Sequence, residues 1–526
     1  MFGSRRHVAI LLGSIAAALT VCLSTAQAAT FTVNTSAGAD DNVCATGSGG
    51  CTLHDAISAA NSAAGADTIN FAPEVNPLVD LTDPLPVITS EVNIVGPGAA
   101  QLNVRRSNIA APFSVFRAAA SVSISGLTIS NGLSDAGGGI LATGLGDVQL
   151  TLDGAVVTGN SAVATAGDSQ FAQAFGGGIA VGGQLTLRNS VVSDNSATAT
   201  ATGTGDASAG GGGISSRGGS IENTTVTGNG ATASSATGPI AVGGGIYVTS
   251  NGVLEITRST IGSNSSPNTA YRGGGIENNG GLTVTDSVFP GNTAYDSGGA
   301  IQNSGSLDVT NSSFDQNYAS QYGGAIDNFA PGAGAANVNL NSVTLTRNKA
   351  DIDLSGGGEG GATQNGDAEG TFRVTNTLYA LNTAGTINDQ CSGFAYSSGG
   401  FNLRQADAAP SVCVGFTAPG DFETANALVA ALASNGGPTQ TVALMPGSPA
   451  INAGGNCPAT DQRGLYRGGT AGRCDIGAFE LGATVLPPAA PAAALPAVAH
   501  KKCKKKKRKK RAAVAKKKKC KKKRKK

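Results

Sequence analysis

Hydrophobic positions recur along this chain in a phrase rather than in a helical or simple alternating pattern. Gly-Gly-Gly-Ile ends at Ile140, Ile179, Ile214, Ile246 and Ile276, and Gly-Gly-Ala-Ile continues it at Ile301 and Ile326. Gly360-Gly361-Ala362 reads as a degenerate eighth copy. The intervals between successive Ile residues are 39, 35, 32, 30, 25 and 25, so the minimal unit is 25 residues. Each unit carries a second phrase: Leu282-Thr283-Val284 precedes Ser287, Val288 and Asn292, and Leu307-Asp308-Val309 precedes Ser313, Phe314 and Asn317. The same phrase runs from Leu185 to Asn195, Leu254 to Asn264, Val338 to Asn348 and Phe372 to Asn382.

Leu-x-Val alternates with period two, so both apolar side chains face one side of a strand. Val288 or Phe314 marks a second short strand after a bend, and the Gly-rich phrase with Ile marks a third. One unit then closes a coil of three short strands, and only stacking buries its inner face. The fold expected is all-β: a right-handed parallel β-helix with a short N-terminal capping segment and a disordered basic C-terminal tail. The Asn residues that end the phrases fit turns and inter-coil ladders. The extra Ala, Thr, Ser and Gly residues of the early units, 162–174, 197–209 and 231–238, read as loops protruding from one corner.

Composition sharpens the boundaries. Residues 1–28 read as a signal peptide: Arg5 and Arg6, an apolar run from Val8 to Leu23, and Ala26-Gln27-Ala28 as cleavage pattern. Residues 29–75 form an N-terminal cap with a helix-like stretch from Leu53 to Ala63. Residues 76–434 hold the repeats, 435–482 lose them, 483–500 are a Pro/Ala linker, and 501–526 are a Lys/Arg-rich tail. That tail holds 20 Lys and Arg and no acid. Setting aside those 20 and the two leader Arg from the 36 basic residues leaves 14 against 34 acids, so the body is about −20. Cys44 with Cys51, Cys391 with Cys413, and Cys457 with Cys474 pair off as disulfides in an exported chain. Cys22 leaves with the leader, and Cys503 and Cys520 sit in the tail.

Residues 31–71 resemble the CSLREA domain of bacterial surface proteins. The match is carried by Phe31-Thr32-Val33-Asn34-Thr35, by Cys51-Thr52-Leu53-His54-Asp55-Ala56-Ile57, and by Gly65 through Ile69. Thr52, His54 and Asp55 stand where that pattern has Ser, Arg and Glu. Residues 435–480 resemble the choice-of-anchor Q domain through Asn435-Gly436-Gly437-Pro438-Thr439, Ala443 through Ile451, Asp461-Gln462-Arg463-Gly464 and Asp475 through Glu480. Asn452 replaces the usual Asp. The repeats between them are similar to the pectin-lyase-like β-helix. The resemblance implies surface attachment and no established reaction.

Candidate chemistry is sparse. Lys349, Asp351 and Asp353 form the best catalytic cluster that sequence proximity offers, on a possible strand whose alternate residues share a face. Polar residues after the turn at Asn348 explain the same pattern without chemistry. His7 lies in the leader, His500 in the linker and His54 in the cap. Weak Ca²⁺ binding at Asp40-Asp41 or Asp351-Asp353 lacks a calcium-loop spacing; no other cofactor is indicated. The function expected is therefore a secreted, surface-associated adhesin or binding scaffold. Its tail would engage anionic envelope polymers or lipids, its body carbohydrate. A polysaccharide lyase or hydrolase is the alternative, and tail-mediated nucleic-acid binding is disfavoured by export. No segment of the mature chain is long and apolar enough for a transmembrane helix.

Overall fold

In the computed structural model the inner Ile residues stack directly on one another. Phe116, Ile140, Ile179, Ile214, Ile246, Ile276, Ile301 and Ile326 pair in parallel register, coil upon coil. Thr363 and Cys391 continue the column, which makes Gly360-Gly361-Ala362 a true eighth copy. The structure describes residues 28–485 except 37–43, 45–49, 145–147, 264–267, 331–334, 408–412 and 469–472. The signal-peptide reading before Ala28, the Asp40-Asp41 pair and the basic tail with Cys503 and Cys520 lie outside the described residues.

A 25-residue coil runs Ile301–Asn303, Ser306–Thr310, Ser313–Asp315 and Tyr318–Ala319. The Gly-Ile and Leu-x-Val phrases therefore share the first sheet, and in Ile179–Arg188 and Ile246–Thr257 they fuse into one strand. The third sheet is the short strand after each Asn, which the pattern reading had placed in the Gly-rich phrase. The inward column Leu282, Leu307 and Val338 and its neighbour Val284, Val309 and Leu340 are at most 2% exposed. Burying each such side chain contributes about 1.5–3 kcal/mol.

The register also corrects the second strand. Val288 pairs with Ser313, and Phe289, not Val288, pairs with Phe314. Those two rings stack with centroids 4.6 Å apart.

The loops expected at one corner are instead a fin of paired strands. Ser161–Ala166, Ser196–Ala201 and Gly230–Ser234 form one layer. Phe171–Phe175, Asp206–Gly210 and Ile240–Val242 form the other. Their shared core consists of Ala side chains, among them Ala162, Ala174, Ala197 and Ala209. Alternate Ala residues let two sheets meet closely, and their small volume disguised them as loop.

Both flanks are attached to this body. The helix Leu53–Ser62 packs on Thr30–Val33 and Asp67–Phe71, and its Leu53, Ala56, Ile57 and Ala60 join the solenoid core. Thr52 and Asp55 form a capping box: Asp55 N donates to Thr52 Oγ1 at 3.1 Å, and Thr52 N to Asp55 Oδ2 at 3.1 Å. All three expected disulfides form, with Cα–Cα distances of 4.8, 5.2 and 6.4 Å, inside the range a disulfide spans.

The segment beyond residue 435 folds back over the second sheet. It meets coil after coil: Thr439 Oγ1 donates to Asp286 O at 3.1 Å, Ser313 Oγ to Gln462 Oε1 at 2.6 Å, Ala478 N to Thr344 Oγ1 at 2.9 Å, and Asn376 Nδ2 to Gly455 O at 2.9 Å. Asp461 holds Arg463 at 2.6 Å, and Arg463 lies 3.8 Å over the Phe479 ring. Asn452 adopts φ 53°, a left-handed backbone that Asn tolerates. This segment is a clasp across the solenoid.

Candidate functional site

In each coil the residue after the core Ile points outward, because side chains alternate along a strand. In the early coils that position holds Leu141, Ala180 and Ser215. It then becomes Tyr247, Glu277, Gln302, Asp327 and Gln364, paired in register on adjacent coils. Outward residues of a solenoid are normally wet, yet Glu277, Gln302 and Asp327 are only 6, 2 and 3% exposed.

Two walls cover them. One is the turn entering the sheet, with Arg272, Asp296 and Tyr322. The other follows the Asn residues at the sheet bend, with Asn279, Ser304 and Phe329. Asn278, Asn303, Asn328 and Asn365 fix that bend through a buried ladder of Nδ2 to Oδ1 bonds at 2.7–3.1 Å. Ser304 Oγ donates to Phe329 O at 2.9 Å and ties the second wall together. The fin adds Phe175, Ile240 and Val242.

The result is a groove along the rod. A pocket of about 370 Å³ at Asp327 shares Arg272, Gln302 and Phe329 with one of about 580 Å³ at Glu277. The second shares Phe175, Tyr247 and Ser250 with a more apolar pocket of about 450 Å³ beside Leu141 and Ala180. Phe175 and Tyr247 stack with centroids 5.8 Å apart and an interplanar angle of 20°. Gly210 sits beside both rings, where an added Cβ would press on them at 3.0 and 3.3 Å.

The polar end is electrostatically tense. Glu277 Oε2, Gln302 Oε1 and Asp327 Oδ1 are buried without a hydrogen-bond partner. Burial pushes the Glu277 carboxyl up to about 8, against the pull of Arg272 and with a further push from Asp327. Burial likewise raises Asp327 to about 7, offset by Gln302 and Arg272 and reinforced by Asp296. Arg272 Nε is engaged by Asp296 Oδ2 at 2.9 Å. Tyr247 accepts from Asn279 Nδ2 at 3.4 Å.

The cluster expected from sequence proximity does not assemble. The strand Lys349–Ala350 ends before the two acids. Asp351 has φ 51° and accepts from Gly356 N at 3.2 Å, while exposed Asp353 accepts from Ser355 N at 3.2 Å. Both carboxylates are turn acceptors and share no strand face. Lys349 pairs with Tyr318 and Thr383 on the third sheet, a different sheet from the groove. His54 lies in the capping helix, its Nδ1 buried without a partner. Among the described residues no group of three or more His, Cys, Asp or Glu side chains is arranged to hold a metal ion.

No protein-family model and no curated protein matches this chain.

Proposed function

We propose that the protein is an exported, surface-associated scaffold that binds carbohydrate along the groove from Leu141 to Gln364. The observation that carries this reading is the in-register row Glu277, Gln302 and Asp327, each with a buried side-chain oxygen that lacks a hydrogen-bond partner, continuing from Tyr247 of a stacked aromatic pair. Sugars combine apolar ring faces with hydroxyl donors, and such a surface offers a complement to each. Three disulfides support an oxidising compartment, and no described helix is long and apolar enough to cross a membrane. The leader, the resemblance to surface proteins and the 20 basic residues of the tail support attachment to anionic envelope polymers or lipids.

The binding half is tested by affinity electrophoresis through a panel of immobilised polysaccharides. At least one polymer should retard the protein, with Tyr247→Ala and Gln302→Leu relieving the retardation; uniform migration through every gel overturns it. The tether is tested by fractionating cells that make the full chain or one ending at Ala499. Equal envelope retention of both, resistant to salt, would sink it.

A second reading is hydrolysis of the bound glycan. Glu277 and Asp327 titrate near neutrality and stand two coils apart, roughly 9.6 Å between backbones. That places an acid and a base on the scale inverting hydrolysis uses, about 6.5–9.5 Å between carboxyls. Release of reducing ends that Glu277→Gln abolishes would establish it; binding without turnover would not.

A further inference from the structure

Three consecutive coils each bury one side-chain oxygen beside the groove that accepts no hydrogen bond, while the Gln302 side chain answers the Asp327 carboxyl only in part. Glu277 Oε2, Gln302 Oε1 and Asp327 Oδ1 lie on backbones paired in register, so neighbouring members are about 4.8 Å apart. Each buried acceptor left unpaired costs about 1–3 kcal/mol. The nearest cation, Arg272, pulls on both carboxyls but is itself engaged by Asp296, so it relieves them only in part. The surrounding body carries about 20 more acids than bases, which draws cations toward it.

This lining discriminates among glycans. A polyuronate brings further acceptors and a charge of the same sign as the acidic body. A neutral sugar brings hydroxyl donors but no countercharge. An amino sugar brings an ammonium group with three donors and no acceptor.

We propose that the groove selects linear amino-sugar glycans running along the rod axis, with ammonium groups on Glu277 and Asp327 and the intervening unit on Gln302. The inference rests on the glycan-binding reading above. The two carboxyls occupy alternate coils. In an extended chain that flips at each unit, substituents on one face likewise recur at every second unit. Farther along the axis Phe175 and Tyr247 offer a ring face to the same chain. Because burial keeps both carboxyls protonated below neutrality, an ammonium ligand must ionise them, and binding releases protons.

Calorimetry on the full mature chain at pH 6, in two buffers of different ionisation enthalpy, tests this with glucosamine, N-acetylglucosamine and galacturonate hexamers. The glucosamine hexamer should bind at least tenfold tighter than the acetylated one, with net proton release, and any affinity of the galacturonate hexamer, owed to the basic tail, should be unchanged by Glu277→Gln or Asp327→Asn. Glu277→Gln and Asp327→Asn should each remove that advantage, while Asp353→Asn on the exposed turn should keep it. Proton release by the unaltered protein tests the claim without any substitution. Equal affinity for both amino-sugar hexamers overturns the inference but leaves the glycan reading standing. So does an equal loss in Asp353→Asn, which would mark bulk charge attraction. Failure of all three hexamers together with every polysaccharide overturns both.

Discussion

Asn292 points both its backbone N and its Nδ2 at a single atom, Asn317 Oδ1, at 3.0 and 2.9 Å. Asn317 does the same to Asn348, and the Nδ2-to-Oδ1 bond repeats from Asn160 through Asn195, Asn229, Asn268, Asn292, Asn317 and Asn348 to Asn382. All eight are at most 1% exposed. A turn that would otherwise bury bare amides is satisfied by the coil beside it, so each Asn serves two coils.

Asn317→Ala should therefore destabilise by about 3 kcal/mol or more. It strips Asn292 of two bonds and removes the one that Phe289 O accepts from Asn317 Nδ2 at 2.8 Å. Hydrogen exchange should show the loss concentrated in the coils on either side, as nearest-neighbour coupling in a solenoid requires. A loss below 1 kcal/mol by chemical denaturation would contradict the ladder's role.

The ladder also shows what sequence reading could reach. Stacked Ile and Leu-x-Val columns were legible, since each repeats its spacing within the phrase. The Asn position was legible where the turn has constant length. In the coil after Leu254 it fails: the phrase points to Asn264, which lies outside the described residues, whereas Asn268 enters the ladder. Four added residues reset the count without altering the stack. Val288 aligns with Phe314 in the phrase because Ser287-Val288 and Ser313-Phe314 look alike, whereas the structure pairs Phe289 with Phe314. The groove was harder still. Its members are 25 residues apart and meet only through the coil period, while Asp351 and Asp353 attract notice by adjacency. The informative signal was the single residue after each core Ile, where Glu277 and Asp327 break an otherwise uncharged column.

Both groove acids make stability fall as pH rises. Their folded carboxyls titrate at about 8 and about 7, above the ordinary values of 4.5 and 3.8. The folded state thus holds protons that the unfolded state has lost. The contribution is intact below about pH 4 and declines through pH 8, by at most about 1.4 kcal/mol per pH unit per group. Glu277→Gln and Asp327→Asn should flatten this slope and raise the melting temperature at pH 8, with little change at pH 4. An unchanged slope in the double variant, measured by scanning calorimetry, would refute the assignment.

Reduction should loosen the clasp more than the rod. Cys457 and Cys474 close a loop of 17 residues, a constraint on the order of 3 kcal/mol. The solenoid between Phe116 and Asn382 contains no disulfide among its described residues and should keep its exchange protection. Mass spectrometry after limited proteolysis, with and without reductant, should show new cleavage within residues 435–485 first. Earlier cleavage in the repeats would reverse that order.

Arg467 is the most demanding residue of the clasp. Its side chain is 2% exposed, and it bonds Glu480 Oε2 at 3.3 Å, Gly477 O at 2.8 Å and Asn311 Oδ1 of the solenoid at 3.2 Å. Arg467→Met removes the cation and leaves Glu480, itself 3% exposed, as an uncompensated buried charge. Breaking such a pair costs about 3–5 kcal/mol, whereas replacing both partners with uncharged groups costs far less. Arg467→Met alone should therefore release residues 435–485 to exchange, and adding Glu480→Gln should restore most of the protection. If the double variant is as exposed as the single, the cost lies in lost packing against Asn311 rather than in the stranded carboxylate, and the clasp is held by shape more than by charge.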